Sequence, residues 1–203
     1  MKKPIAIYGA GSFGREVFVL IMQINESQED WELIGFFDDN LSTEDKVHSL
    51  PVIGNIDTLN AYSEPLNVII AIGNPVIRKR IVSKIKNPLI SFPVLVHPSV
   101  QLAPYQNISI GEGSLIAAGN ILTVDITIGR HVLLNIACTC GHDVVFGDFA
   151  SIMPNCIIFG PSVIGEESFI ATGAAILNRV ELAPSSRIGV REVVMNGVSK
   201  ILQ

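Results

Sequence analysis

Residues 134–147 read L-N-I-A-C-T-C-G-H-D-V-V-F-G. Cys138, Cys140 and His142 alternate with other residues, and Asp143 follows the histidine directly. Three chemistries fit these residue types. Two thiolates and an imidazole at C-x-C-x-H spacing would suit zinc. A thiol can form an acyl-enzyme. A histidine beside a carboxylate can act as a general base, with the carboxylate fixing its tautomer and stabilising the imidazolium.

A second cluster lies at the N-terminus. Gly9-Ala-Gly11-Ser12-Phe13-Gly14 has the G-x-G-x-x-G spacing, and the paired Asp38-Asp39 follow the next apolar run. A glycine loop between a strand and a helix offers free backbone N–H groups to phosphate, and a later acidic pair can reach a ribose. By this pattern alone, a dinucleotide site for NAD competes with any other nucleotide-bearing ligand.

The positioning elements fall into two kinds. Over residues 1–92, strands alternate with helices. Pro4–Tyr8, Trp31–Phe37 and Val68–Ile72 read as strands, and Val17, Leu20, Ile21 and Ile24 recur at helical spacing. A second helix is predicted over Val76–Lys86, with Ile77, Ile81, Val82 and Ile85 on one face. This alternation implies a small Rossmann-like α/β domain with a parallel sheet.

Over residues 93–203 the period changes. Ile110, Ile116, Leu122, Ile128, Leu134, Cys140, Phe146, Ile152, Ile158, Ile164, Ile170, Ile176, Leu182 and Ile188 succeed one another every six residues, and all are apolar. Small residues dominate two positions earlier: Ser114, Cys138, Ala150, Cys156, Ser162, Ser168, Ala174 and Ser186. Glycine follows the apolar residue at Gly111, Gly129, Gly147 and Gly165, spaced by eighteen. A six-residue unit with an eighteen-residue super-period predicts an all-β domain, a parallel β-helix with three short strands per turn. Coils of this kind stack on neighbours, and outer faces left apolar point to a homo-oligomer.

This register sorts the first cluster. Cys140 occupies an inward step, and Cys138 and Cys156 occupy small corner positions. The three cysteines therefore read as reduced core residues, and no metal is expected. His142 lies two residues past an inward step and should face outward. His131, His97 and His48 read as structural or solvated.

Bulk properties narrow the class. The 203 residues are 48% hydrophobic and 16% charged, with a net charge of −5. No uncharged apolar run is long enough to span a bilayer. The opening MKKPIAIYGAG reads as a first strand rather than a signal peptide, so a cytoplasmic protein without membrane insertion is expected. No basic run exceeds Arg78-Lys79-Arg80, which argues against nucleic acid.

The I-Y-G-A-G-S-F-G-R-E-V opening, F-F-D-D-N, A-I-G-N-P-V-I-R-K-R-I, V-H-P-S, the hexapeptide array and the near-terminal G-V-S-K together resemble bacterial sugar acetyltransferases of the left-handed β-helix class, of the PglD/NeuD kind. Some members N-acetylate nucleotide-linked amino-sugars for surface glycans; others O-acetylate sialic acid. The resemblance implies a homotrimer, acetyl-CoA as co-substrate, and a sugar or nucleotide-sugar acceptor. It implies His142 as general base, supported by Asp143 and Asn135. A family member carries Glu where Asp143 stands, one methylene longer. It implies coenzyme contacts at Ser151, Thr172, Gly189 and Val190, with histidine in a relative where Ser151 stands. It implies nucleotide-sugar contacts at Gly11, Ser12, Phe13, Asp38 and Asp39. Gly73, Asn74 and Arg78 are expected at the same sheet edge. N-acetylation is the leading expectation, O-acetylation the alternative, and a non-catalytic NAD- or nucleotide-sensing oligomer the alternative of another class. Hydration of a small acid by a histidine-bound metal is disfavoured, because only His131 and His142 fall within the repeat.

Overall fold

A computed structural model describes residues 2–28 and 30–195. The G-V-S-K segment, 197–200, lies outside the described residues. The chain divides into two compact units: residues up to Gly73 with Ile77–Pro93, and Asn74–Val76 with the chain from Val94 onward.

The first unit is a six-stranded sheet. Its strands are β1 (Lys3–Tyr8), β2 (Trp31–Phe37), β3 (Lys46–Val47), β4 (Leu50–Gly54), β5 (Leu66–Ile70) and β6 (Ile90–Ser91), in the order β3-β4-β2-β1-β5-β6. All pairings are parallel except β3 with β4. Helix α1 (Ser12–Gln28) buries Gly14, Val17, Leu20, Ile21 and Ile24, the stripe its spacing predicts. Successive strands move from β1 to one side and then, with β5, to the other. Ligands of open α/β sheets bind at such a switch point, beyond the carboxyl ends of the strands.

Three features depart from the sequence reading. Helix α3 spans Pro75–Lys84, and Ile77 is 43% exposed. Arg78 takes the buried place on its packed face instead, with Ile81, Val82 and Ile85 partly buried in the core. Its guanidinium donates to the carbonyl of Ile72 at 2.6 Å. The expected strand Val68–Ile72 starts and ends two residues earlier. A β3–β4 hairpin and the short helix α2 (Ile56–Asn60), capped by the Asn55 side chain, had no periodic signal. The hairpin turns on His48 and Ser49, both at positive φ (47° and 68°), as a two-residue hairpin turn of matching twist requires.

The second unit is a three-sided prism of two- and three-residue strands. Face I stacks Leu95–Val96, Leu115–Ile116, Leu133–Leu134, Ser151–Ile152, Phe169–Ile170 and Arg187–Ile188. Face II stacks Ile121–Leu122, Thr139–Cys140, Ile157–Ile158, Ala175–Ile176 and Val193–Val194. Face III stacks Ser109–Ile110, Thr127–Ile128, Val144–Phe146, Ser162–Ile164 and Glu181–Leu182. Pairing is in parallel between residues eighteen apart, as Leu122 with Cys140 and Cys140 with Ile158. The six-residue apolar series forms one continuous core, with Ile110 packed against it and Val194 extending it. Small corner residues line two edges. The edge between faces II and III instead carries Ile108, Ile126, Val144, Ser162 and Val180 at that position.

Three residues past each apolar step, the backbone turns left-handed. His131, Ala137, Asp143, Phe149, Asn155, Glu167, Arg179, Ser185 and Arg191 have φ between 52° and 62°. The N–H at this position donates to the preceding coil, as from His131 to Glu112, Asp143 to Val124, Phe149 to Arg130 and Arg191 to Thr172. Pro161 interrupts the series. It has no N–H, so the His142 carbonyl on the coil before it receives no such bond.

Candidate functional site

His142 and Asp143 stand on the edge between faces II and III. The face-II strand Thr139–Cys140 ends directly before them, so Cys140 points into the core and His142 out. Both side chains are 58% exposed, and His142 Nδ1 lies 2.7 Å from Asp143 Oδ2. Asp143 holds φ at 56°, a conformation aspartate tolerates better than most residues. The shorter acid therefore reaches the ring from a backbone bent toward it. With Nδ1–H donated to the carboxylate, Nε2 carries the lone pair that can accept a proton. Gly160 packs directly on the His142 backbone, where a Cβ would collide with the carbonyl oxygen.

The thiols are placed elsewhere. Cys138, Cys140 and Cys156 are fully buried and unbridged. Burial pushes the Cys140 thiol up to about 12. Among the described residues, no group of three His, Cys, Asp or Glu side chains could hold a metal. His131 is buried at 3% exposure and stacks on Phe149, ring centroids 5.1 Å apart. His97 Nδ1 accepts from the Ser99 N–H at 3.0 Å.

The other residues of the β-helix site do not join His142 within one protomer. Asn135, Thr172, Gly189 and Val190 lie on the edge between faces I and II. Thr172 and Val190 share one column, eighteen residues apart, and both are exposed. Asn135 and Gly189 share the adjacent column. Asn135 is 8% exposed, and its Oδ1 accepts from the Ile136 N–H. The Gly189 N–H is taken by Glu192 Oε2 at 2.7 Å. Ser151 belongs to neither edge. It is buried on the flat of face I, with no surface to offer a coenzyme. Face II separates the two edges and presents Ile121 (59% exposed), Ile157 (43%) and Val193 (55%) outward.

In the first unit, the glycine loop, Asp38-Asp39 and Gly73 all follow the carboxyl ends of strands, at β1, β2 and β5, and Asn74 is the first residue of the second unit. The aspartates hold this rim together. Asp38 Oδ2 accepts from the Ala10 N–H at 2.8 Å. Asp39 Oδ1 accepts from Tyr8 Oη at 2.7 Å and from the Ile56 N–H at 3.0 Å. Burial, with that bond second, pushes the Tyr8 phenol well above its ordinary range. The glycines divide by role. A Cβ at Gly14 would sit 1.9 Å from the Gly9 carbonyl oxygen, so Gly14 is required by helix–strand packing. A Cβ at Gly11 would meet nothing within 4 Å. Gly11 thus leaves room at the loop that its own fold does not need. Asn74 Oδ1 accepts from the Val76 N–H at the start of α3, and burial pushes the Arg78 guanidinium down to about 9. A cavity of about 460 Å³ opens beside the loop, lined by Ala10, Gly11, Ser12, Arg15, Lys46, Val47 and His48. Sequence reading missed Arg15 and Lys46 and took His48 as structural or solvated, because the hairpin that brings Lys46 and His48 to α1 has no periodic signal. His48 is fixed there by stacking on Phe18, centroids 4.7 Å apart.

Comparison with known proteins accords with both units. Residues 4–85 match the model of the PglD N-terminal domain. The GDP-perosamine N-acetyltransferase of Escherichia coli O157:H7 is 31% identical over 180 residues, covering 88% of this chain and 80% of that protein. The chain belongs to the PglD-like sugar N-acetyltransferases. In this family the acetyltransferase domain of PglB from Neisseria gonorrhoeae FA1090, solved in complex with acetyl coenzyme A, is 29% identical. It superposes with a TM-score of 0.86 over 98% of this chain and 93% of that one. PerB from Caulobacter crescentus, solved with CoA and GDP-perosamine, shares the fold at 23% identity, with a TM-score of 0.85 over 96% of this chain and 90% of that one. A PglD-like chain therefore carries the three parallel faces as a left-handed β-helix. No helix among the described residues is long and apolar enough to cross a membrane.

Proposed function

We propose that this acyltransferase moves the acetyl group of acetyl-CoA to the amine of a nucleotide-linked amino-sugar, with His142 as general base. The carrying observation is the exposed His142–Asp143 pair, with Nδ1 held at 2.7 Å and Nε2 left to accept. The acceptor nitrogen attacks the thioester carbonyl as Nε2 takes its proton. The carbon–sulfur bond then breaks, and the CoA sulfur leaves with that proton. Asp143 stabilises the imidazolium in between. The transfer is direct, because Cys138, Cys140 and Cys156 are all fully buried, and burial pushes the Cys140 thiol up.

The nucleotide moiety is assigned to the cavity at Gly11 and Ser12. Arg15 and Lys46 supply charge for a diphosphate there, beside free N–H groups at the start of α1. The relative from E. coli, named for GDP-perosamine, supports an amino-sugar over a hydroxyl acceptor.

The β-helix residues support a homotrimer. His142 stands on one edge and Thr172, Gly189 and Val190 on another, across an apolar face. A three-fold assembly that buries face II would set one edge of each protomer against the other edge of its neighbour. Acetyl-CoA would then lie in the cleft between subunits, reaching His142 from the side of the later coils.

The test is thiol release from acetyl-CoA with GDP- and UDP-linked amino-sugars, the matching hydroxyl sugars, and NAD binding measured in parallel. Release with an amino-sugar supports the proposal. Release only with a hydroxyl sugar makes the protein an O-acetyltransferase, and NAD binding without any release overturns transfer altogether.

A further inference from the structure

The β-helix carries a second recess that neither the base nor the coenzyme edge explains. A short 3-10 turn, Pro104–Gln106, stands off the first coils and raises Tyr105 to 87% exposure. Between the turn and the next coil lies a cavity of about 350 Å³, lined by Gln101, Tyr105, Gln106, Thr123 and Val124. Its volume falls in the range of small-ligand pockets.

The turn is firmly built. Gln106 Oε1 accepts from the Ala103 N–H at 2.7 Å, and its Nε2 donates to the carbonyls of Leu122 at 2.8 Å and Thr123 at 3.0 Å. The Asp125 N–H closes the joint on the Gln106 carbonyl at 2.8 Å. These bonds of Gln106 and Asp125 fix the turn that holds the Tyr105 ring out in water.

The recess adjoins the base. Val124 and His142 occupy the same column, eighteen residues apart, and the Asp143 N–H donates to the Val124 carbonyl at 3.2 Å. Adjacent strands lie about 4.8 Å apart. The recess is on the earlier coil and the assigned coenzyme residues are on later ones. Two substrates that meet at His142 need opposite approaches, and this is the approach left over.

The lining is amphipathic. The Tyr105 ring and Val124 give an apolar wall. The Gln101 amide and Thr123 hydroxyl give donors and acceptors. A pyranose has this same division, with C–H groups on a face and hydroxyls at the rim. We infer that this recess holds the sugar ring of the acceptor, with Tyr105 packed on its apolar face and Gln101 and Thr123 selecting its hydroxyls. The inference rests on the acetyltransferase reading and names the residues that choose the sugar.

Calorimetric binding of GDP-perosamine and of UDP-linked 4-amino-sugars, each against the bare nucleoside diphosphate, tests it on wild type, Tyr105→Ala and Tyr105→Phe. Tyr105→Ala should weaken the preferred nucleotide-sugar roughly tenfold, leave the bare diphosphate unchanged, and leave the KM for acetyl-CoA within about twofold. Tyr105→Phe keeps the ring and should bind as wild type does. Equal nucleotide-sugar affinity for Tyr105→Ala and wild type overturns the inference while leaving transfer intact. Equal weakening of the bare diphosphate also overturns it, since the change would then be structural. Sugar-dependent binding lost in Tyr105→Ala, in a protein that releases no thiol, would keep the recess and discard the transferase. A wild type that binds no nucleotide-sugar overturns both.

Discussion

Asp143 Oδ2 lies 2.7 Å from His142 Nδ1, and the two residues meet at a corner where the chain turns left-handed at φ 56°. Adjacent residues in an extended strand point to opposite faces and cannot meet in this way. The corner makes the pair. His142→Ala should lower kcat by roughly 100-fold or more, with the circular dichroism spectrum and oligomer unchanged. Asp143→Asn keeps a polar group at Nδ1 and should cost less. A His142→Ala enzyme with wild-type turnover would remove the base from this corner.

Gly11 and Gly14 separate ligand space from packing. Gly14→Ala places a methyl 1.9 Å from the Gly9 carbonyl oxygen and should cost about 2 kcal/mol or more of stability. The Cβ added by Gly11→Val meets nothing within 4 Å, so its thermal midpoint should stay close to wild type while nucleotide-sugar affinity falls. Denaturation midpoints and titrations on both variants decide this. A Gly11→Val protein that binds normally would move the nucleotide elsewhere.

Cys140 is fully buried with its thiol pushed up to about 12. Cys140→Ala should keep kcat within about threefold while losing roughly 1 kcal/mol of stability. Mass spectrometry of the wild type quenched with acetyl-CoA should find no acetylated cysteine. An acetyl-thioester on Cys140 would replace direct transfer by a two-step mechanism.

A site shared between subunits has a statistical signature. Val190→Glu and His142→Ala homo-oligomers should both be nearly inactive. Co-assembled in equal amounts, they should recover about one quarter of wild-type activity, because one interface in four joins an intact edge to an intact edge. No recovery would place base and coenzyme in a single protomer.

Arg130 and Asp148 link successive coils. The Arg130 N–H donates to Asp148 Oδ1 at 2.8 Å, and its guanidinium donates to Oδ2 at 2.7 and 2.9 Å. Partial burial alone would raise the Asp148 carboxyl, but these bonds outweigh it and hold it below its ordinary value. A depressed carboxyl contributes stability above its unfolded-state pKa and loses it as pH falls through the folded-state one. The stability advantage of wild type over Asp148→Asn should be full at neutral pH, begin to fall near the ordinary carboxyl value of about 4, and be lost as pH drops through the lowered folded-state value. An advantage that persists at pH 2 would assign it to packing instead.

The β-helix was legible because one rule repeats. The apolar step from Ile110 to Ile188 marks the residue that each of those strands turns inward, and the same count turns His142 outward. The edges were also countable, since position within an eighteen-residue coil fixes the edge; that His142 and Val190 fall on different ones follows from their spacing. The first unit was legible only where a period ran long enough. Helix α1 and strand β2 emerged cleanly. The β3–β4 hairpin, with its two-residue turn, has no period to read, so Lys46 went unnoticed and His48 read only as structural or solvated. Asp38 and Asp39 were legible as a pair but not in their bonds, because Tyr8 and Ile56 reach Asp39 through the fold alone. Ile77 misled because Arg78 displaced it, and a buried guanidinium bonded to carbonyls leaves no trace in hydrophobic spacing.

The coil length sets which insertions and deletions the protein can survive. Adding or losing eighteen residues ahead of the catalytic corner returns every later side chain to its own edge, with one coil more or fewer. Adding six keeps the core apolar and the strands paired, yet rotates all that follows by one face. His142 would then stand on the wrong edge of a well-folded molecule. Length variation among its relatives should therefore come in whole turns within the β-helix, with other lengths confined to excursions such as the turn that carries Tyr105.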